Sequence, residues 1–267
     1  MRAYDDKPMT RPHFLRLPVR TEWPRQRGVT HVLDAGMAPQ RVDELLASAG
    51  GVVDVWKLGW GTAYVDAAVS DKVAVCHRHG VLACAGGTLL EVAWLQGSWE
   101  AFLDWAATTR FDSVEVSAGA SGMPAKDKRL LIEQAVGRFT VLAEVGSKEP
   151  DAPVSPEAWA DAAVEGLHAG ARWVVAEGRE SGQAGLYRPD RSVRAELVEA
   201  LVARAGLDRV IFEAPHTSQQ AWLLGRYGAN VSLGNIPANA VLGLEALRLG
   251  LRADTVATLL GDDAGGA

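Results

Sequence analysis

Eight short apolar runs recur along this chain at a nearly regular interval, and that rhythm limits the possible folds more than any single motif. The runs cover residues 30–33, 52–58, 81–85, 113–116, 140–145, 172–176, 209–212 and 230–233. Successive starts lie 21 to 37 residues apart, enough for one strand, one helix and their turns. The stretches between them have helical spacing. Val42, Leu45, Leu46 and Ala49 share one face; Leu130, Leu131, Gln134, Ala135 and Arg138 share another; Val193, Leu197, Leu201 and Ala205 form a third; Val241, Leu242, Leu244, Glu245 and Leu247 fit a last helix. Ser155-Pro156-Glu157 reads as an N-cap followed by proline at the first helical position, and Gly50-Gly51 and Gly170 suit helix stops. Strict alternation implies a parallel sheet with right-handed crossovers. Eight such units in this length predict an α/β protein of one domain, a closed (β/α)8 or TIM barrel. The alternative, an open doubly wound sheet, lacks its phosphate fingerprint: the first βα turn reads Asp34-Ala35-Gly36-Met37, not GxGxxG.

On this reading residues 1–27 form an N-terminal arm, 28–252 the barrel and 253–267 a loose C-terminal tail. The 267 residues carry a net charge of −6, which argues against a nucleic-acid partner. No apolar run reaches the roughly 18 residues of a membrane span, and the Arg- and Pro-rich start has no apolar signal core. The expectation is a cytoplasmic protein. Cys76 and Cys84 support neither a disulfide framework nor a zinc site. The stretch containing Trp94, Trp99 and Trp105 would either pack a helix on the barrel or bury a subunit face in a homo-oligomer.

A barrel of this kind places its active site where strands end and βα loops begin. The residues there are Asp34, then Lys57, then Gly86-Gly87-Thr88 with Glu91, then Glu115 and Ser117. Glu144, Ser147 and Lys148 follow the fifth run, Glu177 and Arg179 the sixth, Glu213 and His216 the seventh, and Gly234-Asn235 the eighth. This is a ring of carboxylates with three cations, Lys57, Lys148 and Arg179. Such a ring repels itself unless a metal or those cations compensate. Oxygen donors point to a hard ion such as Mg2+, held among Glu115, Glu144, Glu177 and Glu213. Each glutamate alone could instead cap a helix or pair with an arginine. A lysine following a tight glycine turn, as Lys148 does, can act as an acid or base if its pKa is lowered. Gly234-Asn235, before a proline-led helix, suits a phosphate or an ordinary turn. His77 and His79 do not read as a metal pair.

At these rim positions the chain resembles the phosphosulfolactate synthase family. The similar segments are FLRLP (14–18), VWKLGWGT (55–62), GGTLLE (86–91), EVS (115–117), EVGSK (144–148), EGRESG (177–182), FEAP (212–215), NVSLGNI (230–236) and LEALRLGLR (244–252). The similarity runs from about residue 14 to 255, in order. It implies a TIM barrel and Mg2+-dependent addition of sulfite to phosphoenolpyruvate, through an enediolate-like intermediate. It also implies that Lys148 is the acid/base. Arg179 and Lys57 would then join Lys148 in catalysis. Asp34, Ser117, Ser147, Gly234, Asn235 and His216 would bind these small anionic substrates. Departures from the family pattern fall at Trp23, Ala118, His216-Thr217-Ser218 and Ser232. Together they raise a second reading, a phosphoenolpyruvate-dependent synthase with another nucleophile. The resemblance extends to a plant heat-stress-associated protein, so a third reading is a stress-associated protein without turnover.

Overall fold

The structure, a computed structural model, describes residues 12, 14–49, 51–146 and 155–261. Eight parallel strands close into one barrel in sequence order. They are β1 (Thr30–Asp34), β2 (Val55–Leu58), β3 (Leu82–Ala85), β4 (Ser113–Val116), β5 (Thr140–Val145), β6 (Trp173–Ala176), β7 (Val210–Glu213) and β8 (Ser232–Pro237). Around them run α1 (Pro39–Ala49), α2 (Thr62–Val65), α3 (Val69–Arg78), α4 (Gly87–Leu95), α5 (Trp99–Thr108) and α6 (Ala125–Ala135). The ring continues with α7 (Pro156–His168), α8 (Ala195–Ala205), α9 (Thr217–Tyr227), α10 (Val241–Arg248) and α11 (Ala253–Leu260). The (β/α)8 expectation is met.

The two-residue period of the strands divides the core in two. Outward residues such as Val32, Trp56, Val114, Val174 and Phe212 pack beneath the helices. Inward residues Val55, Cys84, Leu142, Trp173, Val175 and Ile211 fill the barrel itself with Val29. The same parity, one step further along, turns Lys57, Glu115, Glu144, Glu177 and Glu213 inward above that apolar plug. Each lies two residues beyond a plug or inward position, Val55, Ser113, Leu142, Val175 or Ile211. A strand phase set by hydrophobic burial therefore aims the charges. The buried apolar side chains are worth roughly 1.5–3 kcal/mol each, which is what holds so many charges together.

The described part of the arm lies across the opposite end of the barrel. Arg20 donates to Glu245, Asn230 and the carbonyls of Ala229 and Gly28, and Arg25 to Asp54 and the Gly51 carbonyl. Trp173 Nε1 donates to the Gln26 carbonyl at 3.1 Å. The loose tail expected from residue 253 is not what forms. Residues 253–260 make α11, whose buried Thr255 donates to the Leu247 carbonyl at 2.8 Å. Its apolar face was hidden in the sequence by the acidic, glycine-rich end that follows it. Trp105 packs with Phe102 and Phe111 on the barrel exterior, and Trp94 and Trp99 are half-buried on the same core. His77 and His79 hydrogen bond to different aspartates, Asp112 and Asp43. Both cysteines are free and buried, and burial pushes each thiol up to about 12.

Candidate active site

A cavity of about 230 Å3 opens at the C-terminal ends of the strands. Lys57, Glu115, Glu144, Glu177, Glu213 and Asn235 are buried in its wall, which Gly86, Gly87, Thr88, Trp60 and Arg179 also line. A wider, more open depression on the outer helices is lined by Glu199, Arg226, Asp254 and Thr258, of which Glu199 and Arg226 pair with each other.

Lys57 is the hub. Its Nζ lies 2.9 Å from Glu115 Oε2 and 3.4 Å from Glu213 Oε1. Backbone amides take the other oxygens. Glu115 Oε1 accepts from Gly87 at 3.1 Å, and Glu213 Oε2 accepts from Gly178 and Arg179 at 2.9 and 3.1 Å. Burial opposes a charge on Lys57. The carboxylates of Glu115, Glu213 and Glu144 outweigh it and hold the lysine above its ordinary pKa. Burial likewise works against ionised Glu115, but the charge and hydrogen bond of Lys57 outweigh it and leave the carboxyl below its usual range. Lys57 is therefore a fixed cation and not a proton shuttle near neutral pH.

Two glycines let α4 deliver its amide. A Cβ on Gly86 would sit 2.7 Å from the Leu58 carbonyl oxygen, and one on Gly87 2.9 Å from Ser117 Cβ. Any larger residue would push the start of α4 away from β2 and β4. The Gly-Gly pair was visible in the sequence; its reason is this close approach.

Three of the wall's carboxylates converge. Glu115, Glu144 and Glu213 place carboxylate oxygens within 4.8 Å of one another, all three buried. An all-oxygen set of this kind fits a hard divalent cation such as Mg2+. Glu177 stands in the same wall, but its Oε1 accepts the Arg179 N–H at 2.6 Å, and it is not one of that convergent set.

The remaining expected residues separate. Arg179 lines the cavity with a left-handed backbone, φ +57°, and Asn235 lines it at φ +50°. Gly234-Asn235 is not the turn after the last strand: β8 continues through both to Pro237. Asp34 is outside the cavity wall. Its carboxylate accepts from Gly36 N, Met37 N, Trp56 Nε1 and Lys72 Nζ at 2.7–3.0 Å, which uses it to shape the first loop. Ser117 Oγ donates to Glu91, whose other oxygen takes the Ala120 and Ser121 amides. His216 caps α9 and bonds the Ser181 carbonyl at 2.9 Å, tying the seventh loop to the sixth. Ser147 and Lys148 lie outside the described residues. None of Trp23, Ala118, His216, Thr217, Ser218 or Ser232 lines the cavity. Ser232 accepts the Val29 N–H at 3.1 Å, deep in the barrel.

Two residues went unread in the sequence. Lys128 on α6 is half-buried and donates to the Glu144 carbonyl, and burial lowers its pKa. The scarcity of lysine, six in the chain, was the available signal. His31 sits fully buried below Lys57. Burial first, and then the Lys57 charge, lower its pKa to about 3, so the ring is neutral.

The sequence model of the family described as (2R)-phospho-3-sulfolactate synthase (ComA) matches residues 18–254. A phosphosulfolactate synthase of Methanothermobacter thermautotrophicus is 38% identical over 245 residues, 90% of this chain and 95% of the relative. One of Bacillus subtilis is 35% identical over 244 residues, 90% of this chain and 97% of the relative. Among solved structures, the carboxyl transferase domain of Rhizobium etli pyruvate carboxylase aligns with a TM-score of 0.53 at 15% identity. That alignment covers 80% of this chain and 40% of the other, and it bears on the fold alone.

Proposed function

The chain belongs to the (2R)-phospho-3-sulfolactate synthase family, and from that premise we propose that it joins sulfite to C3 of phosphoenolpyruvate to give phosphosulfolactate. The observation that carries the reading is the acidic wall of the cavity, where Glu115, Glu144 and Glu213 converge around the locked cation Lys57.

The sulfur lone pair of sulfite forms the bond to C3, and the C2–C3 π electrons move toward C2 and the carboxylate. A proton then bonds to C2, and the phosphate ester stays intact. Glu115, Glu144 and Glu213 would hold Mg2+, with Glu177 beside them. When bound there, the ion supplies positive charge to the substrate carboxylate as it gains electron density, the enediolate stage of the reaction. Lys57 bridges Glu115 and Glu213 and favours the ionised form of Glu115. Arg179 offers a partly exposed guanidinium to the substrate anions. Lys148 is the residue assigned to deliver the proton to C2, on the strength of its place in the EVGSK segment.

No observation favours a different nucleophile, because the positions that depart from the family pattern all lie outside the cavity wall. The test is a panel of nucleophiles with phosphoenolpyruvate and Mg2+, product identified by mass spectrometry. Sulfite-dependent formation of phosphosulfolactate is expected. Consumption only with a larger nucleophile would replace sulfite in this account, and no consumption with any would overturn it.

A further inference from the structure

His31 is an inward residue of β1, one layer beneath the cavity floor, and the chemistry above makes no use of it. Its Nδ1 accepts the backbone N–H of Asn235 at 3.3 Å. A nitrogen that accepts carries no proton, so the neutral ring is the Nε2–H tautomer. Gly234 makes the contact possible, since a Cβ there would lie 3.0 Å from His31 Nδ1 and 2.9 Å from Ile211 Cγ2. Immediately beyond, Asn235 takes the left-handed backbone conformation that non-glycine residues seldom adopt. Its side chain is buried in the cavity wall, and its Oδ1 has no hydrogen-bond partner among the described residues. A strained backbone and an unsatisfied amide thus meet at one residue, with His31 holding it.

We propose that His31 is a positioning residue whose Nδ1 holds the β8 backbone at Asn235, so that the Asn235 side-chain amide faces the cavity and binds the phosphate group of the substrate. This rests on the reading of phosphoenolpyruvate as substrate. The backbone amide of Asn235 already serves His31, so the side chain is the group left to meet an anion. Oδ1 is the buried end of that amide, which leaves Nδ2–H as the donor able to meet an anion in the cavity. The end of the last strand is also where barrels commonly receive a phosphate.

The test measures phosphoenolpyruvate affinity by calorimetry, KM and kcat with sulfite, inorganic phosphate binding by 31P NMR, and Tm, for the full chain and its variants. Asn235→Ala is expected to weaken phosphoenolpyruvate and inorganic phosphate binding by about 10-fold or more, as for a lost hydrogen bond to a charged group, with kcat changed less. His31→Gln moves the acceptor away from the Nδ1 position and is expected to show a similar loss. His31→Asn, whose Oδ1 falls near that position, is expected to recover most of it. In the Asn235→Ala background, His31→Gln should add less than about 2-fold, because coupled residues do not contribute independently. Gly234→Ala, which crowds the ring directly, is the second route should His31→Gln fail to fold. Independent, multiplying losses, or a folded His31→Gln with unchanged affinity, would overturn the proposal. Inorganic phosphate binding that Asn235→Ala leaves intact would overturn the phosphate assignment. A wild-type chain that binds inorganic phosphate through Asn235 but not phosphoenolpyruvate would instead overturn the functional reading.

Discussion

Replacing Lys57 with methionine keeps the length of the side chain and removes the buried cation that bridges Glu115 and Glu213. At an effective dielectric constant of about 20, the attractions at 2.9 and 3.4 Å are about 6 and 5 kcal/mol. Desolvating the ammonium offsets several kcal/mol of that, so truncating one side of this buried group is expected to destabilise the fold by about 3–5 kcal/mol at pH 7. For a domain of this size that corresponds to a fall in Tm of about 10 °C. The pH dependence follows from the protons bound. In the wild type Glu115 is held below its usual pKa, so its stabilisation is present above the unfolded carboxyl value near 4.3. It is lost as pH falls through the folded value. In Lys57→Met the same carboxyl is buried without its cation, its pKa rises, and the penalty should shrink as pH is lowered from 7 toward 5. Added Mg2+ should restore part of the loss by mass action on the folded state. Chemical denaturation across pH 5–8, with and without Mg2+, reads all three. A variant within about 1 kcal/mol of wild type at pH 7, with no change in pH dependence, would refute the claim that Lys57 neutralises these carboxylates.

Three other outcomes are expected. Glu144→Gln should weaken Mg2+ binding about 10- to 100-fold by calorimetry while the fold survives; unchanged affinity would take Glu144 out of the metal site. Gly87→Ala should cost about 1–3 kcal/mol in thermal denaturation despite alanine's better helix propensity, because its Cβ meets Ser117; a stabilised variant would contradict that crowding. Lys148→Ala should lower turnover about 100- to 10,000-fold with an unchanged Tm, and a fully active variant would remove Lys148 from the scheme.

The barrel was legible because its signal is local. Eight apolar runs, and a glutamate or lysine two residues beyond the inward plug positions, are read from spacing alone. The same parity explains why Lys57, Glu115, Glu144 and Glu213 meet, although they lie up to 156 residues apart. What escaped depends on which distant group a side chain touches. Asp34, Ser117 and His216 were placed on the rim by position, and the structure engages each in holding a loop. Lys128 sits in an ordinary helical pattern, and nothing in that pattern tells that its ammonium reaches the end of β5. His31 reads as one polar residue in a strand; only the closed barrel, with β8 beside β1, brings it against Asn235. The start of β8 was read two residues early because Asn230 looks like part of the run, whereas its side chain receives the arm through Arg20 and Thr21.

The most direct test follows phosphoenolpyruvate labelled with 13C at C3, together with sulfite and Mg2+, by NMR in the presence of the full chain. The account predicts that the vinyl C3 resonance is replaced by that of a saturated CH2 bearing a sulfonate, while the phosphorus remains an ester. Release of inorganic phosphate as the main product, or a C3 signal that persists with active, folded protein, would contradict it.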